Sequence, residues 1–292
     1  MLIILPKKMK QHKRRIEIVV LSDVHLGTRG CRAKELLSYL KSIQPEILIL
    51  NGDIIDVWQF NKRYWPNSHM RVIKHILSLV SKRTKVYYIT GNHDEVFRKF
   101  TGTRMGSLQI VNDLVLDLNG QKVWFFHGDV FDVIMQHSKW LAKAGAIGYD
   151  SLIAINTIVN SISRFFGKGQ VSLSKKIKEN VKTAIKYIQN FEETAADLAI
   201  RKGYHTIACG HIHHPEIRQI NRNTGIVNYM NSGDWIENLT ALEYNENQWN
   251  LYIHREEAQS NTLPSLTDPE SISADDLKNK ELFQIMLKEF QS

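Results

Sequence analysis

Five short clusters of His, Asp and Asn are the residues of this chain best suited to chemistry: SDVHLG at 22–27, NGDIID at 51–56, GNHD at 91–94, FFHGD at 125–129 and CGHIHH at 209–214. Each cluster ends or follows a short apolar run of the kind that forms a buried β-strand. The strands of one sheet carry their connecting loops at shared edges. We therefore expect the five clusters to meet in the folded protein.

The side chains in these clusters have the ligand chemistry of divalent metal ions. Carboxylate oxygen, amide oxygen and neutral imidazole nitrogen suit manganese, iron, zinc and magnesium, and no thiol belongs to the set. Seven ligands are more than one tetrahedral zinc ion takes, and the candidates are Asp23, His25, Asp53, Asn92, His127, His211 and His213. They suit two ions that share a bridging carboxylate, roughly 3.5–4 Å apart, an arrangement that catalyses phosphoryl displacement.

The prediction depends on the five clusters occurring together and in order. Each cluster alone has an ordinary explanation. An isolated Asp-x-His or His-x-His occurs by chance, and a lone buried His is more often a hydrogen-bonded core residue. Glycines at 52, 91 and 210 precede three clusters, and Gly128 follows His127. Glycine lets the backbone turn sharply and approach a ligand closely. The complete set therefore predicts a dinuclear metal site.

The spacing of apolar residues predicts an α/β fold. Strands at 16–22, 47–51 and 85–90 alternate with helices at 32–43 and 69–81, an order typical of parallel strands joined by helices. Residues 108–129 predict strands joined by tight turns, with Asn-Gly at 119–120 as a hairpin signal. Helices are predicted across 132–202, and short strands follow at 206–210, 216–220, 226–231, 240–244 and 249–254.

The chain divides into three parts on this basis. A basic N-terminal segment covers residues 1–15, and the main domain covers 16–257 with a helical insertion at 132–202. A polar linker and a C-terminal amphipathic helix occupy 258–292.

Composition and charge narrow the class of protein. The chain is 43% hydrophobic and 23% charged, which is ordinary for a globular protein and unlike a disordered one. Cys31 and Cys209 are its only cysteines, so no disulfide framework is implied and a reducing cytosol fits. No apolar run predicts a membrane span or a signal peptide. The net charge of +8, concentrated at 7–15 and 164–186, suits an anionic partner.

The ordered set DVH, GDIID, GNHD, HGD and GHIH resembles the calcineurin-like metallophosphoesterase family across residues 16–254. The resemblance implies a two-sheet β-sandwich flanked by helices. It implies a metal-dependent hydrolase of phosphoric esters or diphosphates with two divalent ions, manganese being favoured over magnesium, iron or zinc. One ion is expected on Asp23, His25 and His213, the other on Asn92, His127 and His211, with Asp53 bridging both.

The resemblance also implies roles for the residues between these ligands. His93 is expected to assist the transition state and to protonate a leaving alkoxide, with Asp94 orienting it. Asp56 and Asp129 are expected either to orient neighbouring ligands or to stabilise their turns.

Finer features resemble one branch of the family, the UDP-2,3-diacylglucosamine pyrophosphohydrolases. They are the stretches LSDVHLG and GDIIDVW and the helical insertion after HGD. That branch cleaves UDP-2,3-diacylglucosamine to UMP and 2,3-diacylglucosamine 1-phosphate in lipid A synthesis, and a helical lid covers the acyl chains. The resemblance implies a nucleotide-linked lipid as substrate.

The insertion at 132–202 has a composition that suits such a lid. It combines large apolar residues with a group of lysines, as an amphiphile with acyl chains and a diphosphate requires. We expect four of these lysines to contact substrate: Lys175, Lys176, Lys178 and Lys182. The alternative is an ordinary helical hairpin packed on the sheet, with its lysines in water.

Two further positions bear on the substrate. The best-known members of the branch have Arg where this chain has His93. A phosphate leaving group needs little protonation, whereas an alkoxide benefits from a His acid, so His93 keeps a related phosphodiesterase or phosphatase open. Arg29 closely follows the first metal motif and is the best candidate for a phosphate contact.

Alternatives of other kinds stay open. A soluble nucleotide or a phosphoprotein would replace the lipid as substrate, and a metal-bound scaffold would lack catalysis, although no ligand is missing here. A nuclease would suit the charge, but the sequence shows no aromatic–basic stacking pattern, so we expect no nucleic acid partner. The basic N-terminus and the apolar insertion predict a cytoplasmic protein attached peripherally to the inner face of the cytoplasmic membrane. Oligomeric state and acyl length stay open.

Overall fold

Two β-sheets form the centre of the computed structural model, which describes residues 13–58, 64–132 and 174–255, with side chains from residue 186 onward in the last range. Residues 1–12 of the expected basic segment, most of the expected lid and the expected linker and helix at 258–292 lie outside the described residues. Apart from Arg255, the described residues belong to one compact unit that ends at His254.

The described strands are β1 Arg14–Leu21, β2 Ile43–Asn51, β3 Lys85–Ile89, β4 Arg104–Met105, β5 Leu108–Val111, β6 Asp113–Leu118, β7 Gln121–Phe126, β8 Thr206–Cys209, β9 Glu216–Arg222, β10 Gly225–Asn231, β11 Thr240–Asn245 and β12 Gln248–Ile253. The described helices are α1 Ala33–Ser42, α2 Asn67–Ser81 and α3 Ser174–Arg201, with a 3₁₀ helix at Glu95–Phe100.

Both sheets combine a parallel centre with antiparallel edges. The first has the order β12–β11–β1–β2–β3–β5–β4, and β1, β2, β3 and β5 run parallel. The second has the order β6–β7–β8–β10–β9, and β7, β8 and β10 run parallel. Parallel strands carry their C-terminal loops at one edge of a sheet, which is where ligands bind in open α/β sheets.

The alternation of side chains along β1 shows how the layers are stacked. Ile18 and Val20 belong to the apolar cluster between the sheets, together with Phe125 of β7. Val19 and Leu21 point the other way, into the cluster formed with α1 and α2. Because successive residues of a strand face opposite sides, a strand buried on both faces must be apolar throughout, as β1 is from Ile18 to Leu21.

The helices cover the outer faces of the sandwich with their apolar sides. Leu36 and Leu40 of α1 and Val72 of α2 are buried against the first sheet. Phe191 and Ala195 of α3 are fully buried against the second sheet. Helical spacing places these residues on one side of each helix, so their burial holds helix and sheet together.

This architecture confirms the expected α/β fold, a two-sheet sandwich flanked by helices. The turn predicted at Asn119 and Gly120 joins β6 to β7, and both residues have positive φ. Strand β4 and the 3₁₀ helix were not predicted from the sequence. Within the described residues, no helix is long and apolar enough to cross a membrane.

Candidate metal centre

The predicted ligands lie where the parallel strands of both sheets end. Asp23 follows β1, Asp53 follows β2, and His127 follows β7 directly. Hydrogen bonds join these strand ends across the two sheets: Asn51 Nδ2 donates to the carbonyl of Phe126 over 3.0 Å, and the Ser22 and Ser232 hydroxyls are 2.7 Å apart. The two C-terminal edges therefore form one site.

The backbone of this site is held in an uncommon conformation. Positive φ angles of 51–68° occur at five of the predicted ligands, Asp23, His25, Asp53, His211 and His213. Non-glycine residues rarely adopt this left-handed region, and each costs about 1 kcal/mol or more. Hydrogen bonds between neighbouring loops hold it, such as Asp23 N–H to Gly52 O at 3.1 Å and His25 N–H to Asp53 O at 2.9 Å. Such local strain is typical of functional sites.

Glycine allows the loops to approach one another. A Cβ at Gly52 would lie 2.3 Å from the ring of His127, and a Cβ at Gly91 would lie 2.2 Å from Oδ1 of Asp53. Real side chains cannot come that close, so any other residue here would push a predicted ligand out of place.

The structure brings the predicted ligands together in two groups. Ligand atoms of Asp23, His25 and His213 lie within 4.8 Å of one another. Within this group, His213 Nε2 is 3.2 Å from Asp23 Oδ1. Asp53, His127 and His211 form the second group at the same limit.

Asp53 lies between the two groups. Its Oδ2 is 3.3 Å from His127 Nε2 and 4.0 Å from His25 Nε2, so one oxygen faces a histidine of each group. Its Oδ1 accepts a hydrogen bond from the backbone N–H of His93 at 2.8 Å. Asn92 comes just before His93 in the chain, and its buried Oδ1 has no hydrogen-bond partner in the described structure.

In each histidine of these groups, one ring nitrogen lies close to an oxygen atom of the protein. That contact fixes the direction in which the other ring nitrogen points. Nδ1 of His25 is 3.1 Å from Asp56 Oδ2, and Nδ1 of His127 donates to the carbonyl of Asn51 at 2.9 Å. Metal-binding histidines are oriented in this way by carboxylates and carbonyls.

The other two histidines are held by residues that sequence reasoning missed. Nε2 of His211 is 3.0 Å from Asp132 Oδ1, and the Tyr187 hydroxyl donates to the same carboxylate. Nδ1 of His213 is 3.5 Å from Asp234 Oδ2. Asp234 had a signal, because NSGDW at 231–235 places an Asp just past β10, as in the five clusters. Tyr187 had none, since it comes from a distant helix.

The donor set fits two divalent cations. Buried atoms without a hydrogen-bond partner in the described structure include Nε2 of His25 and of His127, and both face Asp53. Asp23, Asp53 and Asp56 are each at most 2% exposed, and buried carboxylates need counter-charges. Imidazole and carboxylate without thiol suit manganese, magnesium, iron or zinc, so this chemistry leaves the metal undetermined.

The electrostatics of the protein without ions lead to the same conclusion. Burial alone would lower the pKa of His127, but neighbouring carboxylates, Asp53 first, raise it to about 10. Burial likewise opposes protonation of His213, but Asp23 and a second carboxylate raise its pKa to about 11. Burial would raise the pKa of Asp53, yet the histidines around it lower it well below its usual value. Protons on the rings thus balance the carboxylates, and bound ions would replace them.

The carboxylate that contacts the ring of His93 is that of Asp56, whereas the sequence led us to expect Asp94 there. Asp56 Oδ2 is 2.8 Å from Nδ1 of His93. The Asp94 carboxylate instead accepts hydrogen bonds from the backbone N–H of Gly91 at 2.6 Å and from the Tyr88 hydroxyl at 2.6 Å. Burial and the nearby Asp53 raise the pKa of Asp94 to about 6. Asp94 therefore holds the turn that presents Asn92 and His93.

The remaining predicted residues lie in different places. Asp129 pairs with Arg98, whose Nη2 is 2.6 Å from Oδ2. Arg29 lines a pocket beside His25 and His213. The predicted lysines, Lys175, Lys176, Lys178 and Lys182, belong to the first turns of α3, and their side chains are outside the described residues.

The fold and the site together define a metal-dependent phosphoester hydrolase, with clustered His and Asp ligands at the C-terminal edges of a two-sheet sandwich. The sequence model of the calcineurin-like phosphoesterase family matches residues 16–215, and the chain belongs to this family.

Individual relatives are distant. The UDP-2,3-diacylglucosamine hydrolase of Aliivibrio fischeri (strain MJ11) is 25% identical over 249 residues, covering 80% of this chain and 97% of that protein. The DNA double-strand break repair protein Mre11 of Methanococcus maripaludis is 24% identical over 252 residues, covering 82% of this chain and 62% of that protein. A solved structure of Yfce, a phosphoesterase from E. coli, matches at 13% identity with a TM-score of 0.38, covering 78% of this chain and 88% of that one.

Proposed function

We propose that the protein hydrolyses the diphosphate of a nucleotide-linked lipid, UDP-2,3-diacylglucosamine, to UMP and 2,3-diacylglucosamine 1-phosphate. The placement of Asp53 carries the catalytic part of the proposal, because one carboxylate oxygen faces both groups of ligands. Two divalent ions held by these residues would polarise the phosphoryl group and lower the pKa of a water molecule. Manganese is the ion we expect to serve best in the cell.

The protein's own side chains have separate parts in this scheme. We assign one ion to Asp23, His25 and His213 and the other to Asn92, His127 and His211, with Asp53 shared. The ring of His93 stands beside the first group, 4.7 Å from the ring of His25 between centroids. Its Nδ1 faces Asp56, which leaves Nε2 to donate a proton to the departing oxygen.

Two observations support a lipid substrate. The first is the similarity over 80% of the chain to a UDP-2,3-diacylglucosamine hydrolase. The second is an apolar rim beside His93: Val57 N–H bonds to the carbonyl of His93, and the ring of Trp58 is 4.7 Å from the His93 ring. Both side chains are exposed, Trp58 by 46%. Exposed apolar groups at the mouth of a site suit an acyl chain or a membrane surface.

A second candidate function is a phosphodiesterase or phosphatase that acts on a soluble nucleotide or a phosphoprotein. The contact between His93 and Asp56 favours it, because an imidazole supported by a carboxylate is a good acid for an alkoxide leaving group. A diphosphate bond releases a phosphate, which needs that proton less.

Purified protein loaded with Mn²⁺ distinguishes the two candidates. It should release UMP from UDP-2,3-diacylglucosamine, detected by phosphorus NMR, and the Asp53→Asn variant should not. Hydrolysis of bis(4-nitrophenyl) phosphate without any release of UMP would reject the lipid substrate in favour of the second candidate. Cleavage of DNA by the same preparation would instead favour a nuclease. Co-sedimentation with anionic vesicles tests membrane attachment separately.

A further inference from the structure

The pocket beside the first ligand group carries an inference that rests on the proposed function and extends it. This pocket has a volume of about 540 Å³ and is lined in part by His25, His213 and His93. The two histidines that belong only to the second group, His127 and His211, are not among its lining residues. The pocket therefore lies beside the first ligand group, on the same side as His93.

The loop that forms one wall of this pocket is tightly held. The backbone N–H of Gly27 donates to Nδ1 of His69 at 2.9 Å. The backbone N–H and the hydroxyl of Thr28 both donate to the carbonyl of His25, at 3.1 and 2.9 Å. These contacts hold the backbone just before Arg29 in place, and the same loop carries the predicted ligand His25.

Arg29 contributes a permanent positive charge to this pocket. Its guanidinium lies over the ring of Tyr64, 5.3 Å from the centroid, and both residues line the pocket. In the described part of the chain, no carboxylate forms an ion pair with it. A guanidinium placed over the face of an aromatic ring can still direct N–H groups sideways to a carboxylate or phosphate.

Size and charge indicate what the pocket holds. A volume of about 540 Å³ is in the range of ligand sites and exceeds what one phosphate group needs. Two divalent ions already suit the phosphoryl group that is attacked. The guanidinium of Arg29 beside these ions suits a second phosphate group in the same substrate. Tyr64 and Ile236 offer apolar contact to the group that this second phosphate carries.

We propose that this pocket binds the departing half of a diphosphate ester and that Arg29 contacts its phosphate. In the reaction, water oxygen bonds to one phosphorus, and the bond from that phosphorus to the bridging oxygen breaks. The electron pair stays on the bridging oxygen, which leaves as part of a phosphate monoester, and the protons of water pass to the products and solvent. Arg29 is a specificity-determining residue that favours diphosphates over simple phosphodiesters.

The test compares Arg29→Gln with Arg32→Gln in the full-length, Mn²⁺-loaded protein. Arg32 is a matched control, because it is three residues away, pairs with Glu35 and is not among the pocket's lining residues. The binding probe is a UDP-sugar analogue with a methylene group in place of the bridging oxygen, measured by calorimetry. The second measurement is kcat/KM for bis(4-nitrophenyl) phosphate, whose leaving group carries no phosphate.

Arg29→Gln should weaken binding of the analogue by about tenfold or more, and it should lower kcat/KM for the aryl diester by a clearly smaller factor. Arg32→Gln should change neither. Unchanged binding in Arg29→Gln, or an equal loss on the aryl diester, would overturn the inference. If the analogue binds through Arg29 but UDP-2,3-diacylglucosamine is not hydrolysed, the pocket assignment stands and the lipid substrate is wrong.

Discussion

The carboxylate of Asp56 joins two histidines, with Oδ2 3.1 Å from Nδ1 of His25 and 2.8 Å from Nδ1 of His93. One ring belongs to the first ligand group and the other is the candidate acid. A single fully buried side chain thus sets the orientation of both rings. A change at Asp56 should therefore affect both the metal ligand His25 and the candidate acid His93.

Replacing Asp56 by Asn tests this link. We expect kcat to fall by about 10²-fold or more, because the supporting charge on His93 is lost. The loss should be larger for an alkyl leaving group than for 4-nitrophenolate, which departs without a proton. Metal content must be measured in parallel, since His25 shares the contact. Asp117→Asn is the control, because in the described structure the Asp117 carboxylate accepts a hydrogen bond from the backbone N–H of Gly120 in an exposed turn. Equal losses on both substrates would show that His93 is not an acid.

Asp132 and Tyr187 should act on the second ion through His211. Both lie at its Nε2, so Asp132→Asn and Tyr187→Phe should lower affinity for one of two ions by about 10–100-fold. Titration with Mn²⁺, followed by electron paramagnetic resonance, separates the two binding steps. Tyr204→Phe, on a tyrosine that packs against Trp124, serves as the control. Unchanged affinity for both ions would remove the positioning role.

Metal binding should strengthen as pH rises. Without ions, the raised pKa values of His127, about 10, and His213, about 11, keep both rings protonated at neutral pH. Each ion must displace such protons, so affinity should rise by up to about tenfold per pH unit for each proton released. Calorimetry in buffers of different ionisation enthalpy counts those protons between pH 6 and 8. Affinity that is independent of pH would contradict the protonated metal-free site.

Gly52 and Gly102 form a matched pair for the close approach of the loops. Their φ angles are +85° and +88°, so alanine costs both about 1 kcal/mol of backbone strain. Only Gly52 has a neighbour, the His127 ring at 2.3 Å from an added Cβ, whereas Gly102 has nothing within 4 Å. Gly52→Ala should lower the free energy of unfolding by about 1–3 kcal/mol more than Gly102→Ala does, because the added methyl group overpacks the site. It should also lose most of its metal affinity. Urea unfolding and metal analysis measure the two effects; similar results for both variants would reject the steric account.

The sequence predicted the elements of the fold well because their signals are local. The strand at 85–90 and the helix at 69–81 are observed as β3 and α2 within two residues at each end. The ligand clusters were also visible, because each follows an apolar strand. Tyr187 was not, since its contact with His211 depends on how α3 packs on the second sheet, and Asp132 was not because it lies three residues past the fourth cluster. The contact of Asp56, and not Asp94, with the His93 ring was equally hidden, because both are Asp near a strand end and only the turn geometry decides which one reaches His93.

We propose that Asp53 bridges two divalent ions. Crystals grown with Mn²⁺ and measured at the manganese absorption edge test it directly. We expect two anomalous peaks roughly 3.5–4 Å apart, one near His25 and one near His127, with the Asp53 carboxylate between them. A single peak, or two peaks that do not flank Asp53, would contradict the claim.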